Sequence, residues 1–233
     1  MQKITDNLYT LDGMLVGRVY LIQDPDGLTL IDTSIAPRAN AILKEIQKAG
    51  FKPTDVKRIL ITHAHPDHIG ALNKIQAATG AAVWAGQVEA DVIGGKSPIA
   101  TPPREKVGGI MKFFIPSSTT FTPTPVARVL KDGDVLTEVL EGMVALHTPG
   151  HAIDHFAFWQ PQRRILISGD VIFNMFGLTL PLPFFTVDME QDKRSAARLI
   201  ALNPDIICFG HGVPLRGADA TQKLAAFAQR IGI

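Results

Sequence analysis

Residues 62–68 read Thr-His-Ala-His-Pro-Asp-His, directly after the apolar run Val56, Ile59, Leu60, Ile61. A chain built this way must carry a buried strand into a turn that presents His63, His65, Asp67 and His68 together. Neutral imidazoles and carboxylates are the ligands that borderline divalent metals such as zinc prefer. His63 and His65, two apart on extended backbone, project to one side and can hold one ion. Asp67 and His68 then turn away from that pair and can hold a second. The competing reading is a polar surface turn that happens to be rich in histidine. Four ligand-type side chains at the end of a buried-looking strand seldom arise from packing, which favours the metal reading.

The remaining histidines stand at 147, 151, 155 and 211. His151 follows the apolar strand Met143 to Leu146, in Thr148-Pro149-Gly150-His151. Asp170 follows Ile165, Leu166 and Ile167, in Ser168-Gly169-Asp170. His211 follows Ile206 to Phe209, in Gly210-His211-Gly212. With the run at 62–68, the pattern of an apolar strand and then a turn bearing a ligand-type side chain occurs four times. Strand ends gathered at one edge of a sheet sandwich suit a preorganised site, because rigid scaffold there meets open loop. Each such residue alone reads more simply as a cap or core-edge group; their joint occurrence points to a site. His147 reads as a polar strand-end residue.

At 233 residues the chain is long enough for one well-filled domain. A net charge of +1 argues against the basic footprint that nucleic acid requires. The single cysteine, Cys208, excludes an intrachain disulfide framework and a multi-cysteine metal site. Met1 to Asp12 has no apolar signal region, and no apolar stretch reaches the length of a membrane span, so the expectation is a cytoplasmic protein.

The order of elements is strand-rich with helices in each half. Leu28 to Ile31 is a predicted strand ending at Asp32-Thr33-Ser34, and Pro37 to Ala49 an amphipathic helix stopped by Gly50. Val56 to Ile61 is the strand that delivers the histidines. Ile69 to Thr79 is a helix stopped by Gly80, and Ala82 to Ala85 another strand. Regular structure with a turn at Asp132-Gly133 is expected over Val129 to Leu136, and strands over Met143 to His147, Phe156 to Trp159, Arg164 to Ser168 and Ile206 to Phe209. Helices are expected over Asp192 to Leu202 and Asp219 to Gln229. Residues 96–128 hold six of the sixteen prolines, Phe113, Phe114 and Phe121, and five Lys/Arg against Glu105 alone. They read as an insertion or lid, the usual place for substrate-selecting residues, or equally as a plain surface connector.

The motif at 62–68, followed in order by His151, Asp170 and His211, resembles the metallo-β-lactamase-fold hydrolases, from Asp32 onward over nearly the whole chain. The resemblance implies an α/β fold, the four-layer αββα sandwich, over a single domain 1–233. It implies that His63, His65 and His151 bind a first metal, that Asp67, His68 and His211 bind a second, and that Asp170 bridges both. His155 aligns with a frequent family histidine and reads as supporting a ligand or as structural. Asp32 is expected to orient a ligand histidine through its far ring nitrogen, with turn capping as the alternative.

Two divalent ions sharing a water can lower its pKa from ~15.7 toward ~7, which yields hydroxide at neutral pH. Asp67 could orient that nucleophile or shuttle its proton. The expected cofactors are two divalent ions, zinc first, with iron or manganese as alternatives, and the expected partner is a small-molecule substrate. Asp170 at the bridging position resembles the glyoxalase II and lactonase branches, and an ester, lactone or thioester is the expected substrate. Against a lactonase, Phe173 stands near where similar acyl-homoserine lactonases use a tyrosine. Against glyoxalase II, only about 22 residues follow His211. Phe173 and Phe184 are candidate substrate contacts in a segment that could equally be core. A mononuclear iron, persulfide dioxygenase-like oxidoreductase is the rival reading. β-Lactam or phosphodiester hydrolysis and a non-catalytic metal-binding module stand lower.

Overall fold

The computed structural model describes residues 1–11, 13, 17–101 and 122–233. Among these, seven strands form a first sheet in sequential order: β1 (Gln2–Lys3), β2 (Leu8–Thr10), β3 (Tyr20–Asp24), β4 (Gly27–Ile31), β5 (Val56–Leu60), β6 (Ala82–Ala85) and β7 (Arg128–Val129). The first four are antiparallel; β4 to β7 are parallel. Parallel neighbours need crossovers, and helices supply three of them: α1 (Ala39–Lys48) between β4 and β5, α2 (Pro66–Ile69) with α3 (Leu72–Thr79) before β6, and α4 (Gln87–Ile93) after it.

The second sheet holds β8 (Val135–Leu136), β9 (Met143–His147), β10 (Phe156–Gln160), β11 (Ile165–Ile167), β14 (Ile206–Cys208) and β15 (Leu215–Arg216), in the order β15-β14-β11-β10-β9-β8. Between β11 and β14 lie a small hairpin, β12 (Phe173–Asn174) with β13 (Leu178–Thr179), and the helix α5 (Met189–Ala201). The helix α6 (Gly217–Ile231) closes the chain.

Three buried clusters define the layers. Ile42 and Ile46 of α1 and Ile75 of α3 pack on Leu21, Leu30 and Ile59 of the first sheet. Tyr20, Ile22, Ile31 and Leu60 on the other face of that sheet meet Met143, Phe156, Phe158 and Ile167 of the second. Ala157, Leu166 and Ile207 then pack on Leu199 of α5 and Phe227 of α6. Strand residues therefore alternate between two apolar layers, and the expected αββα sandwich is the observed one.

Several boundaries differ from the sequence reading. The helix expected over 69–79 is two pieces. Pro66 starts the first inside the histidine run, and the break falls at Gly70-Ala71, where the Ala71 amide donates to Ser34 O instead of continuing the helix. The segment expected over 129–136, with its turn at Asp132-Gly133, is β7 and β8, two-residue strands in different sheets, so that turn carries the chain from one sheet to the other. The helix expected from Asp192 begins three residues earlier, at Met189, because the Asp188 side chain caps it by accepting from Gln191 N at 3.0 Å. The helix α4 has no counterpart in the sequence reading. Of the proposed insertion, residues 102–121, with Phe113, Phe114 and Phe121, lie outside the described residues. No helix among the described residues is long and apolar enough to cross a membrane.

Candidate metal centre

The ligand-type residues gather at one edge of the two facing sheets. The run at 62–68 leaves the C-terminal end of β5, His151 follows β9, Asp170 follows β11, and His211 follows β14. His63 and His65 sit on extended chain before Pro66. That proline takes the first helical position, where its missing N–H costs nothing, and folds Asp67 and His68 onto one helical turn. The change from a two-residue to a helical period separates the two pairs.

Two groups result. His63, His65 and His151 form one, and Asp67, His68, Asp170 and His211 the other; within each group the ligand-type atoms lie within 4.8 Å of one another. In the first, His65 Nδ1 faces His151 Nε2 at 2.9 Å. In the second, His211 Nε2 is 2.9 Å from Asp67 Oδ2, and His68 Nε2 is 3.3 Å from Asp170 Oδ1. Asp170 faces both groups: its Oδ2 lies 3.4 Å from His151 Nε2, 3.2 Å from His211 Nε2 and 3.9 Å from His63 Nε2. All seven residues named from the sequence are brought together.

The outer hydrogen bonds set the tautomers. Thr62 Oγ1 donates to Asp32 Oδ2 at 2.8 Å, so it accepts from His63 Nδ1 at 3.0 Å and leaves the His63 Nε2 lone pair facing inward. Thr186 Oγ1 donates to Leu182 O and accepts from His151 Nδ1 at 3.2 Å, with the same result. His68 Nδ1 donates to Asp32 Oδ2 at 2.7 Å. Asp32 also accepts the Thr62 amide at 2.8 Å and holds a left-handed φ of 60°. Asp32 thus meets the Nδ1 side of the His68 ring and leaves its Nε2 facing inward.

His155 stands behind the centre. The Asp170 amide donates to its Nε2 at 3.1 Å, so its Nδ1 carries the proton and donates to Thr148 Oγ1 at 2.8 Å. Gly169 is required here, since a Cβ would lie 2.5 Å from His155 Nε2; at Gly210 a Cβ would lie 1.9 Å from Asp170 Oδ1. His147 is apart from the groups, paired with Asp154 at 3.1 Å. The Phe173 ring is 4.6 Å from that of His211 and 6.3 Å from that of His151, at the rim of the centre. Phe184 packs on Phe185 at 4.4 Å, just before Thr186.

Charge divides the two groups. Burial drives the His63 and His151 rings well below the usual histidine range and His65 to about 4, so three neutral imidazoles face one another. In the second group burial acts the same way on His211, but Asp170 and Asp67 outweigh it and raise the ring to about 9. Asp170, Asp67 and Asp32 likewise overcome burial at His68 and hold it well above the usual value. Burial pulls Asp67 upward, yet the His68 and His211 rings bring it down to about 2. His63 Nε2 is buried without a hydrogen-bond partner, and His68 Nε2 and Asp170 Oδ1 face each other at 3.3 Å as an ion pair without a well-formed hydrogen bond. Such inward, unpaired polar atoms are costly unless a cation satisfies them, and the set suits divalent metals with imidazole and carboxylate ligands.

Three supporting groups were not legible in the sequence. The Thr186 hydroxyl holds His151. Glu89, on α4, accepts the Ala64 amide at 2.7 Å. Asp192, on α5, accepts the His151 amide at 3.2 Å. Burial raises Glu89 to about 7 and Asp192 to about 8.

Comparison with known proteins places this geometry. The family model of the metallo-beta-lactamase superfamily matches residues 12–211. A probable metallo-hydrolase of Bacillus subtilis, YflN, is 28% identical over 235 residues, covering 93% of this chain and 88% of its own length. A hydroxyacylglutathione hydrolase of Methylobacterium nodulans is 28% identical over 185 residues; the match covers 78% of this chain and 57% of that enzyme. Among solved structures, a subclass B3 metallo-beta-lactamase of Bradyrhizobium japonicum superposes with a TM-score of 0.71 at 24% identity, over 99% of this chain and 91% of its own, a likeness of fold alone. The chain belongs to the metallo-beta-lactamase superfamily and is a metal-dependent hydrolase.

Proposed function

We propose that the chain hydrolyses an ester, lactone or thioester at a dinuclear site, with His63, His65 and His151 holding one divalent ion and Asp67, His68 and His211 the other. The observation that carries the reading is the Asp170 carboxylate, which faces both groups at 3.2–3.4 Å from the ring nitrogens of His211 and His151. Zinc is the proposed ion, on the strength of three imidazoles in one group and mixed imidazole and carboxylate in the other. Bound there, such ions supply Lewis acidity and an acidified water. The residues do the rest. Asp67, ionised down to about pH 2, accepts a hydrogen bond and orients the attacking water. Asp170 is fixed by His155 and keeps the two groups in register.

Thioester cleavage draws support from the hydroxyacylglutathione hydrolases, and the apolar rim at Phe173 favours a substrate with an apolar portion. The test is metal removal by chelation, assay of the apo-protein against thioesters, lactones, esters and β-lactams, and readdition of zinc. Turnover of an acyl substrate should vanish on chelation and return with zinc. Full hydrolytic activity after exhaustive chelation would sink the proposal. Oxygen uptake on a persulfide by the iron-loaded protein, without acyl hydrolysis, would replace it with the oxidoreductase reading.

A further inference from the structure

Glu89 and Asp192 lie outside the seven ligand-type residues, on helices that form the two outer layers of the sandwich. Glu89 is 5% exposed, and its Oε2 accepts the amide of Ala64, the one residue between His63 and His65, at 2.7 Å. Its Oε1 faces the Asp154 amide at 3.4 Å, and Asp154 Oδ2 in turn accepts Val88 N at 2.8 Å, which ties the start of α4 to the β9–β10 turn. Asp192 has no exposed surface; its Oδ1 accepts the His151 amide at 3.2 Å, and its Oδ2 is buried without a partner.

Burying a carboxyl group costs free energy whether it gives up its charge or its solvent, and hydrogen bonds to main-chain amides recover only part of it. An apolar residue would fill either place at less cost. What the carboxylates add is a fixed position for the backbone at the first ligand group, gripped from both outer layers. The second group is held differently: Asp32 holds the His68 ring itself.

We propose that Glu89 and Asp192 are positioning residues for the His63, His65 and His151 group, acting through the main chain from which these histidines project. The proposal rests on the metal-centre reading above. Both act on main-chain amides, so the effect is selective: the first group weakens when they are removed, and the second does not.

The test reads zinc affinity by competition with a chromophoric chelator. His211→Ala provides a background with the first group complete, and His65→Ala one with the second complete. Glu89→Ala and Asp192→Ala should each lower zinc affinity of the first group by about 10–100-fold, the usual scale for groups behind a ligand. Affinity of the second group should change by less than about threefold, below the scale that loss of a supporting group produces. Asp192→Asn keeps an acceptor for the His151 amide and should restore most of the loss, whereas Asp192→Leu fills the space without an acceptor and should not. Glu89→Gln keeps one acceptor of two and should fall between. Asp24→Asn is the control. That buried carboxylate also accepts a main-chain amide, Leu140 N at 2.8 Å, but it pairs with Gly27 at the far end of β3, away from the centre. Its replacement should lower the unfolding temperature and leave zinc affinity unchanged.

Equal weakening of both groups by Glu89→Ala and Asp192→Ala, or unchanged affinity in folded variants, overturns the proposal. If Glu89→Ala fails to fold, the Asp192 pair decides alone. If neither background binds zinc with Glu89 and Asp192 in place, the metal-centre reading itself fails, and that result is distinguishable from the others.

Discussion

The two ligand groups share an edge and a carboxylate that faces both, yet they are built on opposite electrostatic plans. In the first, three imidazoles are buried neutral; hydroxyls of Thr62 and Thr186 hold two of the rings. In the second, two rings sit among carboxylates and keep their protons, so His68 and His211 carry the positive charge that Asp67 and Asp170 call for. A metal entering the first group meets open lone pairs. A metal entering the second must displace protons. The difference teaches that one fold edge can carry a neutral group and a charged group side by side, with Asp170 Oδ2 facing both.

The largest effect should come from removing what the groups share. Asp170→Asn leaves the shape but takes away the charge that faces both. Turnover should fall by at least ~10³-fold, the equivalent of ~4 kcal/mol of transition-state stabilisation. Metal content by mass spectrometry should fall as well. A folded Asp170→Asn protein with wild-type rates would end the comparison, because the groups would then act independently.

Proton displacement gives the next effect, and its sign follows from the rings. His211 titrates at about 9, so at any lower pH a metal must remove a proton to reach the second group. His68 is likewise held well above the usual value, so two protons leave, and zinc affinity there should rise about 100-fold per pH unit, or ~10⁴-fold from pH 6 to pH 8. His65 titrates at about 4, and burial holds the other two rings well below the usual range, so the first group should be nearly flat over that span. The measurement is competition titration in the wild-type protein and in the His65→Ala and His211→Ala backgrounds. Parallel slopes would refute the difference in charge.

The asymmetry was only half legible in the sequence. Every ligand-type residue could be named, because each follows an apolar strand and has a side chain that packing alone does not explain. The αββα order followed from the resemblance. What escaped was everything that depends on contact across long sequence separations. Glu89 lies in a seven-residue helix too short to show a period, and it meets Ala64 only after β6 has been laid beside β5. Asp192 read as a helix start, although Asp188 caps that helix and frees Asp192 to turn inward. Thr186 carries no signal at all in its loop. Thr62 and Thr148 stood beside the motifs, but their roles depend on which group each hydroxyl donates to, and only coordinates give that.

Asp32 should produce a smaller effect, unequal between the groups. It accepts from the His68 ring directly and reaches His63 through Thr62, whose hydroxyl and amide both donate to it. Asp32→Asn should weaken zinc at the second group by about 10–100-fold and at the first by less. Equal losses would mean that Asp32 serves the strand end as a whole.

Phe173 should give the smallest effect, and the one most tied to substrate. Its half-buried ring lies against His211 of the second group and farther from His151 of the first, at 4.6 Å and 6.3 Å. If that ring meets the apolar part of an acyl substrate, Phe173→Ala should lower kcat/KM by roughly tenfold, through KM, with kcat nearly kept. The loss should be large for a long acyl chain and nearly absent for an acetyl group, which is too short to reach the rim. If the ring instead braces His211, kcat and zinc affinity of the second group should fall together, whatever the chain length. Phe173→Leu separates the two further: an aliphatic side chain still offers apolar surface to a substrate, but it cannot stack on an imidazole. Recovery of KM in the Phe173→Leu variant would assign the residue to the substrate; persistence of a kcat defect would assign it to the second ligand-type group.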